Sequence, residues 1–161
     1  MNDTAYEAAL RILLRRPHAE GELVEKLQRK KFSAEEVTAT IGQLRAEKYL
    51  NDTKLASEFV AWHLEYKPMG RRGIRQRMLL RKFKPVDIET ALQALVTPEA
   101  ERCAAQKLLE SRLSRESIKK LAPQEQRERL ARFMLARGFD TELVLSLLDK
   151  MTQLPNPRAE T

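Results

Sequence analysis

Apolar residues recur along this chain at the three- and four-residue intervals that are typical of helices. The pattern is clear in Ala5, Ala9 and Leu13, and it returns from Val37 to Leu44. No segment alternates apolar and polar residues for long enough to indicate a strand. The sequence therefore predicts an all-α protein.

Helix starts are marked by residues that cap helices. Thr4 and Ser33 each precede a glutamate by three residues, which is the spacing of a capping box. Thr97 places a hydroxyl before Pro98, and proline is favoured in the first turn of a helix. We expect a helix to begin directly after each of these hydroxyl residues.

The same apolar pattern occurs three times when the chain is aligned on Phe32, Phe83 and Phe139. Five positions around each of these aromatic residues carry an aliphatic side chain or methionine in all three copies. They are Leu23, Leu27, Val37, Ile41 and Leu44; Ile74, Met78, Ile88, Leu92 and Leu95; and Leu130, Met134, Val144, Leu148 and Met151. Repeats of this size stack on their neighbours to complete a core that none could close alone.

The repetition predicts three tandem three-helix repeats, which are helix-turn-helix-like units in an elongated, curved row. We place the repeats at 4–50, 52–96 and 98–152, and predict a disordered tail at 153–161. The polar stretch 111–124 is expected to form a longer loop in the third repeat. A compact chain of this length has a radius of gyration of about 15 Å, and we expect a larger value in solution scattering.

The residue composition and the absence of known motifs argue against several classes of function. The single cysteine, Cys103, excludes an internal disulfide, and we expect it to be a small buried thiol in a protein of the cytoplasm. Neither a signal peptide nor a membrane-spanning segment is predicted. His18 and His63 lie in different repeats without cysteine partners, and no nucleotide-binding or hydrolase motif is present. We therefore predict no catalytic residue, no metal site, no cofactor and no enzymatic activity.

Positive charge is concentrated in one stretch, between Lys67 and Lys84. The chain has a net charge of +7, and without the eight basic residues of this stretch 22 basic residues face 23 acidic ones. The stretch contains no Asp or Glu, although solvated helix faces usually mix both signs. We interpret it as a binding surface for an acidic protein groove or a nucleic-acid backbone, with a solvated helix face as the alternative.

A basic residue also stands two positions before each aligned phenylalanine, so positive charge recurs in all three repeats. The candidate binding residues are Lys67, Arg71, Arg72, Arg75, Arg77, Arg81, Lys82, Lys84, Lys30 and Arg137.

Trp62 and Tyr66 lie four residues apart, on one face of a predicted helix that also carries Phe59. Packing in the core is the simpler interpretation for these rings. The alternative is that a ring lies exposed beside the basic stretch, where it would stack on a base or anchor a protein partner.

Ordered motifs in the second repeat resemble those of a known family. They are Tyr49-Leu50-Asn51-Asp52, then Leu55-Ala56 and Phe59-Val60, then Gly70, Ile74 and Met78 at four-residue intervals, and finally Arg81-Lys82-Phe83. This order, together with the three-repeat layout, resembles the RecX family of bacterial regulators of the RecA recombinase.

One feature departs from the family pattern. The family tends to place glycine before each aligned aromatic residue, but only Gly138 does so here, and Lys31, Lys48 and Lys82 stand at the corresponding places. A residue other than glycine costs roughly 1–2 kcal/mol in the left-handed conformation. We therefore expect the helices before Phe32 and Phe83 to end differently in this chain.

The resemblance implies a function. It implies a protein, expected to be a monomer, that lodges in the groove of the RecA filament on single-stranded DNA. There it would inhibit ATP hydrolysis, strand exchange and the co-protease activity that triggers the SOS response. Single-stranded DNA would be a secondary contact. The alternative is a sequence-nonspecific DNA-binding helical protein, which would bind bare DNA well and lose affinity steeply with salt.

Overall fold

The computed structural model describes residues 4–153. Within that range all the regular secondary structure is helical and no strand is present, so the all-α prediction is confirmed. The helices are α1 (Ala5–Leu13), α2 (Glu20–Arg29), α3 (Ala34–Ala46), α4 (Asp52–Glu65), α5 (Arg71–Leu80), α6 (Pro85–Leu95), α7 (Pro98–Leu113), α8 (Glu116–Lys119), α9 (Pro123–Ala136) and α10 (Thr141–Gln153). Of the predicted tail at 153–161, Gln153 ends α10 and the rest lies outside the described residues.

The predicted helix starts are confirmed by their hydrogen bonds. The Thr4 hydroxyl accepts from the Glu7 amide at 3.2 Å, and the Glu7 carboxylate accepts from the Thr4 amide at 3.0 Å. Ser33 forms the same reciprocal capping box at the start of α3. The Thr97 hydroxyl accepts from the Ala100 amide at 3.1 Å at the start of α7. Each cap satisfies backbone amides that the helix itself leaves unpaired.

The starts of α2 and α5 are capped by carboxylates from later helices. Ala19 precedes α2 and has no side chain that could cap it, but Asp52 of α4 accepts from the Glu20 amide at 3.0 Å. Glu101 of α7 accepts from the Arg71 amide at 2.7 Å at the start of α5. A carboxylate at a helix N-terminus also stabilises the helix dipole. The capping bonds therefore connect parts of the chain about thirty residues apart.

Four helices end in the same turn, a Schellman motif that precedes an aromatic residue. At the end of α2, the Phe32 amide donates to the Leu27 carbonyl and the Lys31 amide donates to the Gln28 carbonyl. The residue before the aromatic has a positive φ in each turn: 69° at Lys31, 63° at Lys48, 60° at Lys82 and 82° at Gly138. The expectation that the helices before Phe32 and Phe83 end differently is therefore wrong. Lysine takes the left-handed conformation that glycine takes at Gly138.

The stretch 111–124 is only partly a loop, which corrects the expectation for the third repeat. The first three of its residues end α7, and α8 forms a single turn of helix at Glu116–Lys119. Ile118 of α8 is buried in the core beside Leu108 and Leu109 of α7. The short helix therefore supplies an apolar side chain that anchors this connection.

The described chain divides into two compact units, with a boundary that passes through α4 and α5. Unit 1 comprises the described residues up to Val60 together with Arg75–Leu95, and unit 2 comprises Ala61–Ile74 together with the described residues from Val96 onward. The three predicted repeat boundaries stay a prediction.

Each unit contains an apolar core. In unit 1, one core cluster consists of Ala8, Ala9, Leu23, Leu27, Val37, Ile41, Leu44 and Leu50, with Phe32 half-buried against it. In unit 2, the core consists of Ala104, Ala105, Leu108, Leu109, Ile118, Leu130, Met134, Phe139, Val144, Leu147 and Leu148. Most of the positions aligned in the sequence are buried core residues, so the pattern identified the packing faces.

Among residues 4–153, none of the helices combines the length and apolar content that a bilayer span requires. Cys103 is exposed, which corrects the expectation of a buried thiol.

Candidate binding surfaces

The basic stretch between Lys67 and Lys84 contains no acid in sequence, but acids from other helices meet it in space. Four of its cations form ion pairs with carboxylates of α2 or α6. One of these pairs joins Arg75 to Glu89 at 2.6 Å on the surface of unit 1. The stretch is therefore much less positive in the folded protein than its sequence indicates.

Three of these ion pairs form what we call the first helix junction, where the start of α2 meets the end of α5 in unit 1. They join Glu22 to Arg81 at 3.4 Å, Glu25 to Lys82 at 3.5 Å and Glu20 to Lys84 at 3.4 Å. Gly21 lets the backbones approach closely, because a Cβ atom there would lie 2.5 Å from the Lys82 carbonyl oxygen. The acidic start of α2 thus neutralises the basic end of α5.

Arg81 is the most constrained cation of the first helix junction. Its guanidinium donates to the Pro17 carbonyl at 2.8 Å and lies 5.3 Å from the Phe59 ring centroid and 5.9 Å from that of Phe83. Its side chain is 26% exposed. Burial, followed by the positive charge of Arg16, lowers the pKa of Arg81 although Glu22 opposes the shift. These contacts fix the orientation of the side chain and assign Arg81 a structural role.

Glu22 is the centre of a wider charge network. It contacts Arg16, His18 and Lys26 in addition to Arg81. Burial alone would raise the pKa of Glu22, but the hydrogen bond from Arg16 and the surrounding positive charges lower it below its usual value. The carboxylate is therefore ionised and shared among several cations.

Backbone contacts form the second helix junction, where the start of α5 meets the end of α9 in unit 2. The Gly70 amide donates to the Arg137 carbonyl at 3.1 Å, and the Arg72 guanidinium donates to the Phe139 carbonyl at 3.1 Å. A Cβ atom on Gly138 would lie 2.0 Å from the Gly73 nitrogen. The absence of side chains at these glycines is what allows the two backbones to touch, and it explains why glycine is required at position 138.

Beside the second helix junction lies what we call the arginine cluster. It consists of Arg112 and Arg137, which lie over Phe133, and of Arg115, whose charge acts on Arg112. The guanidinium carbon of Arg112 lies 3.6 Å from the Phe133 ring centroid, and that of Arg137 lies 5.1 Å from it. Desolvation, followed by the positive charges of Arg115 and Arg137, lowers the pKa of Arg112. No carboxylate among the described residues forms an ion pair with any of the three arginines.

The remaining candidate residues differ in their surroundings. Lys30 and Arg77 are exposed and have no side-chain partner within residues 4–153. Arg71 is half-buried and donates to the Val96 carbonyl at 2.7 Å. The basic residues that precede the three aligned phenylalanines are therefore not equivalent, because Lys30 is free while Arg81 and Arg137 lie over aromatic rings.

Trp62 and Tyr66 are exposed, by 42% and 71%, so the interpretation that both are core residues is wrong. Their ring centroids lie 6.4 Å apart, and the Lys67 ammonium lies 5.4 Å from the Trp62 centroid. We call these three side chains the aromatic patch. Phe59, by contrast, is half-buried and packs against Phe83 at 5.8 Å.

Sequence reasoning missed Arg112 and Arg115, because they lie at the edge of a stretch expected to be a loop. One signal was available: Phe133 precedes Arg137 by four residues on a predicted helix, which places the two side chains side by side. The contact with Arg112, from a different helix, could not be found in this way.

Among the described residues, no group of three or more His, Cys, Asp or Glu side chains is placed to hold a metal ion.

The chain is similar to known proteins along most of its length. A family model described as RecX, first three-helix domain, matches residues 5–44. The regulatory protein RecX of Leptothrix cholodnii is 34% identical over 143 residues, which cover 87% of this chain and 84% of that protein. The regulatory protein RecX of Trichlorobacter lovleyi is 30% identical over 145 residues, which cover 90% of this chain and 94% of that protein.

Solved structures show the same fold. The crystal structure of RecX from Lactobacillus salivarius superposes with a TM-score of 0.75 at 19% identity and covers 92% of this chain and 94% of that one. The architecture is therefore shared at low sequence identity.

Proposed function

The chain belongs to the RecX family of regulatory proteins, and on that premise we propose that it binds the RecA filament and inhibits its ATPase, strand-exchange and co-protease activities. It acts by binding, without a cofactor or an enzymatic step, and single-stranded DNA is its secondary contact. The alternative function is that of a sequence-nonspecific DNA-binding helical protein.

The aromatic patch is the observation that carries the proposal of a protein partner. Tryptophan and tyrosine dominate the binding energy of protein interfaces because they bury a large area with few rotatable bonds. Here both rings are exposed on α4, although the same helix buries Ala56 and Val60. Lys67 adds a positive charge at the edge of the patch and suits an acidic residue on the partner.

The pairing of the basic stretch also favours a protein partner for this part of the chain. A nucleic-acid backbone is bound by cations that are free to neutralise phosphates. Arg75, Arg81, Lys82 and Lys84 are already paired with carboxylates of the protein itself. We propose that Lys67 and Arg77 contact RecA. The paired cations stabilise the fold, as do Arg71 and Arg72, which donate to backbone carbonyls.

Fluorescence anisotropy tests this function. Labelled single-stranded DNA is titrated with the protein at near-physiological salt, both bare and coated with RecA in a non-hydrolysable nucleotide. The wild-type protein is expected to bind the coated strand more tightly than the bare one. The double variant Trp62→Ala/Tyr66→Ala is expected to weaken binding to the coated strand by about 2 kcal/mol or more, or roughly 30-fold, because it removes the proposed anchors.

A matched control is Tyr49→Ala, which removes a 58% exposed tyrosine from unit 1. It is expected to bind the coated strand as the wild type does, and thermal melts followed by circular dichroism check that all variants are folded. Wild-type affinity in the folded double variant would exclude the aromatic patch as the anchor. Equal or tighter binding of the wild type to bare DNA would favour the alternative function.

A further inference from the structure

The arginine cluster is not explained by the packing of unit 2. Arg112 and Arg137 lie within 3.6 and 5.1 Å of the same ring centroid, so two positive charges share one phenylalanine. A cation over an aromatic ring gains about 0.5–1 kcal/mol at an exposed site, but like charges at close range repel each other. Two arginines over one ring are therefore favourable when a bound anion neutralises their charges.

Carboxylates that could complete the cluster are not supplied by the described part of the protein. The nearby arginine of α9 that does have a partner, Arg127, pairs with Asp149 at 2.6 Å. Arg112, Arg115 and Arg137 have no such partner within residues 4–153. Arg129 lies one turn before Phe133 on α9, is exposed, and is likewise without a described ion pair, so it extends the positive surface.

The stacking of Arg112 and Arg137 on Phe133 prepares them for oxyanions. A guanidinium that lies against a ring keeps its planar fork of N–H donors in a fixed orientation, so less entropy is lost when it binds an oxyanion in a bidentate way. Both phosphates and carboxylates fit this geometry.

Two features favour phosphates over a protein surface. Protein interfaces deplete lysine, glutamate and aspartate, and their main anchors are tryptophan, tyrosine and arginine side chains that become buried at the centre of the contact. Phe133 is half-buried and covered by arginine, so the cluster presents charge and not an apolar anchor. Interfaces with nucleic acids are more polar and far more positive, and arginine is their most characteristic contact.

We infer that the arginine cluster, Arg112 and Arg137 over Phe133 together with Arg115, is a binding site for the phosphodiester backbone of single-stranded nucleic acid. The inference rests on the proposed secondary contact with single-stranded DNA and assigns that contact to unit 2. It separates the nucleic-acid contact from the aromatic patch, which we assigned to the protein partner.

Salt-dependent binding to a bare strand tests the site. The triple variant Arg112→Gln/Arg115→Gln/Arg137→Gln is titrated into labelled oligothymidylate by anisotropy at several salt concentrations. Each lost phosphate contact reduces the slope of log affinity against log salt by about 0.7, so the slope should fall by roughly 2. If the remaining contacts are unchanged, the affinity at 0.1 M salt should fall by roughly 100-fold.

The matched control is Arg45→Gln/Arg75→Gln/Arg127→Gln. It lowers the net charge by three, as the cluster variant does. Each of these arginines, however, is ion-paired within the protein, with Glu20, Glu89 and Asp149 respectively. A loss caused by net charge alone would therefore appear equally in both triple variants. The inference expects a clearly smaller fall in slope and affinity for the control.

The outcomes separate this inference from the proposed function. Loss of bare-strand binding in the cluster variant, with binding to the RecA-coated strand retained, would support both. The phosphodiester site would be overturned by a wild-type slope in the folded cluster variant, or by equal losses in the two triple variants. Neither result would bear on binding to the RecA filament, which the coated strand tests separately. Binding of poly-glutamate that depends on the cluster as strongly as binding of oligothymidylate would overturn it in favour of an acidic protein surface.

Discussion

Arginine lies over phenylalanine in both units, but among the described residues a carboxylate accompanies it only in unit 1. Arg81 lies over Phe59 and Phe83 and pairs with Glu22 at 3.4 Å. Arg112 and Arg137 lie over Phe133 without an ion pair among the described residues. The same contact therefore serves packing where the charge is neutralised internally, and it is available for an external anion where the charge is not.

The difference between the two units originates in the residues at the starts of α2 and α5. The start of α2 carries Glu20, Glu22 and Glu25, which face the basic end of α5 at the first helix junction. The start of α5 carries glycines and arginines, which contact the end of α9 through the backbone at the second. Because α5 supplies no acid to α9, the cations beside the second helix junction are not neutralised by any ion pair within residues 4–153.

The largest effect is expected from filling the second helix junction. Gly138→Ala would place a Cβ atom 2.0 Å from the Gly73 nitrogen and force alanine into a φ of 82°. The combined overlap and strain should reduce the free energy of unfolding by at least ~3 kcal/mol. Urea unfolding followed by circular dichroism measures this as a fall in the midpoint.

Gly42→Ala is the control for this substitution, because a Cβ atom at Gly42 on α3 would meet no atom within 4 Å. It is expected to be neutral or to stabilise the protein by up to about 1 kcal/mol, since alanine favours helix over glycine. A folded Gly138→Ala variant with a wild-type midpoint would show that the backbones do not touch.

Helix positions and caps could be predicted from the sequence because they depend on near neighbours. The capping boxes at Thr4 and Ser33 and the apolar face of each helix follow from spacings of three and four residues. The binding surfaces could not be predicted to the same extent. The pair Arg81 and Glu22 is separated by 59 residues, and no local pattern indicates which acid meets which base.

The left-handed lysines show a second limit of local reasoning. The strain at Lys31 and Lys82 argued against the turn, but the Schellman hydrogen bonds and the aromatic residue that follows outweigh a cost of roughly 1–2 kcal/mol. Glycine is retained at position 138 because Gly73 occupies the space of its side chain. That neighbour lies 65 residues earlier in the chain and leaves no signal near Gly138.

A smaller effect should distinguish the two arginine environments directly. Arg81→Gln removes a half-buried cation with a carboxylate, a carbonyl and two rings as partners, and should cost about 2 kcal/mol of unfolding free energy. Arg137→Gln removes a charge that is repelled by Arg112, and should change stability by less than about 0.5 kcal/mol. Urea midpoints at constant m-value compare the two. Equal losses would mean that Arg137 is structural in the same way as Arg81.

The smallest effect is expected from acid, and it should be traceable to the charge network of unit 1. His18 is buried, and its Nδ1 lies 2.8 Å from the Arg16 carbonyl oxygen, so Nδ1 carries the proton and donates. Nε2 then accepts from the Lys26 ammonium at 2.7 Å. Desolvation by burial is the main cause that lowers the pKa of His18. The hydrogen bond to the Arg16 carbonyl and the charge of Glu22 oppose this shift, and the positive charges of Arg16 and Lys26 add to it.

The direction of the pH effect follows from this lowered pKa. Between the folded pKa of His18 and its usual value near 6.5, the unfolded chain binds more protons than the folded one. The contribution of His18 to the free energy of unfolding is therefore full above pH 6.5 and falls as the pH decreases below that value. Glu22, whose pKa is also lowered, adds a further loss only below about its ordinary value of 4.5. Urea midpoints from pH 7.5 to 4 should therefore fall in two stages, and His18→Gln should remove the first. An unchanged first stage in His18→Gln would mean that another group causes this first stage.

Because arginines stay charged throughout this range, the slope of bare-strand binding against salt should not change between pH 7.5 and 5.5. This result would separate the cations of the arginine cluster from the titrating network of unit 1.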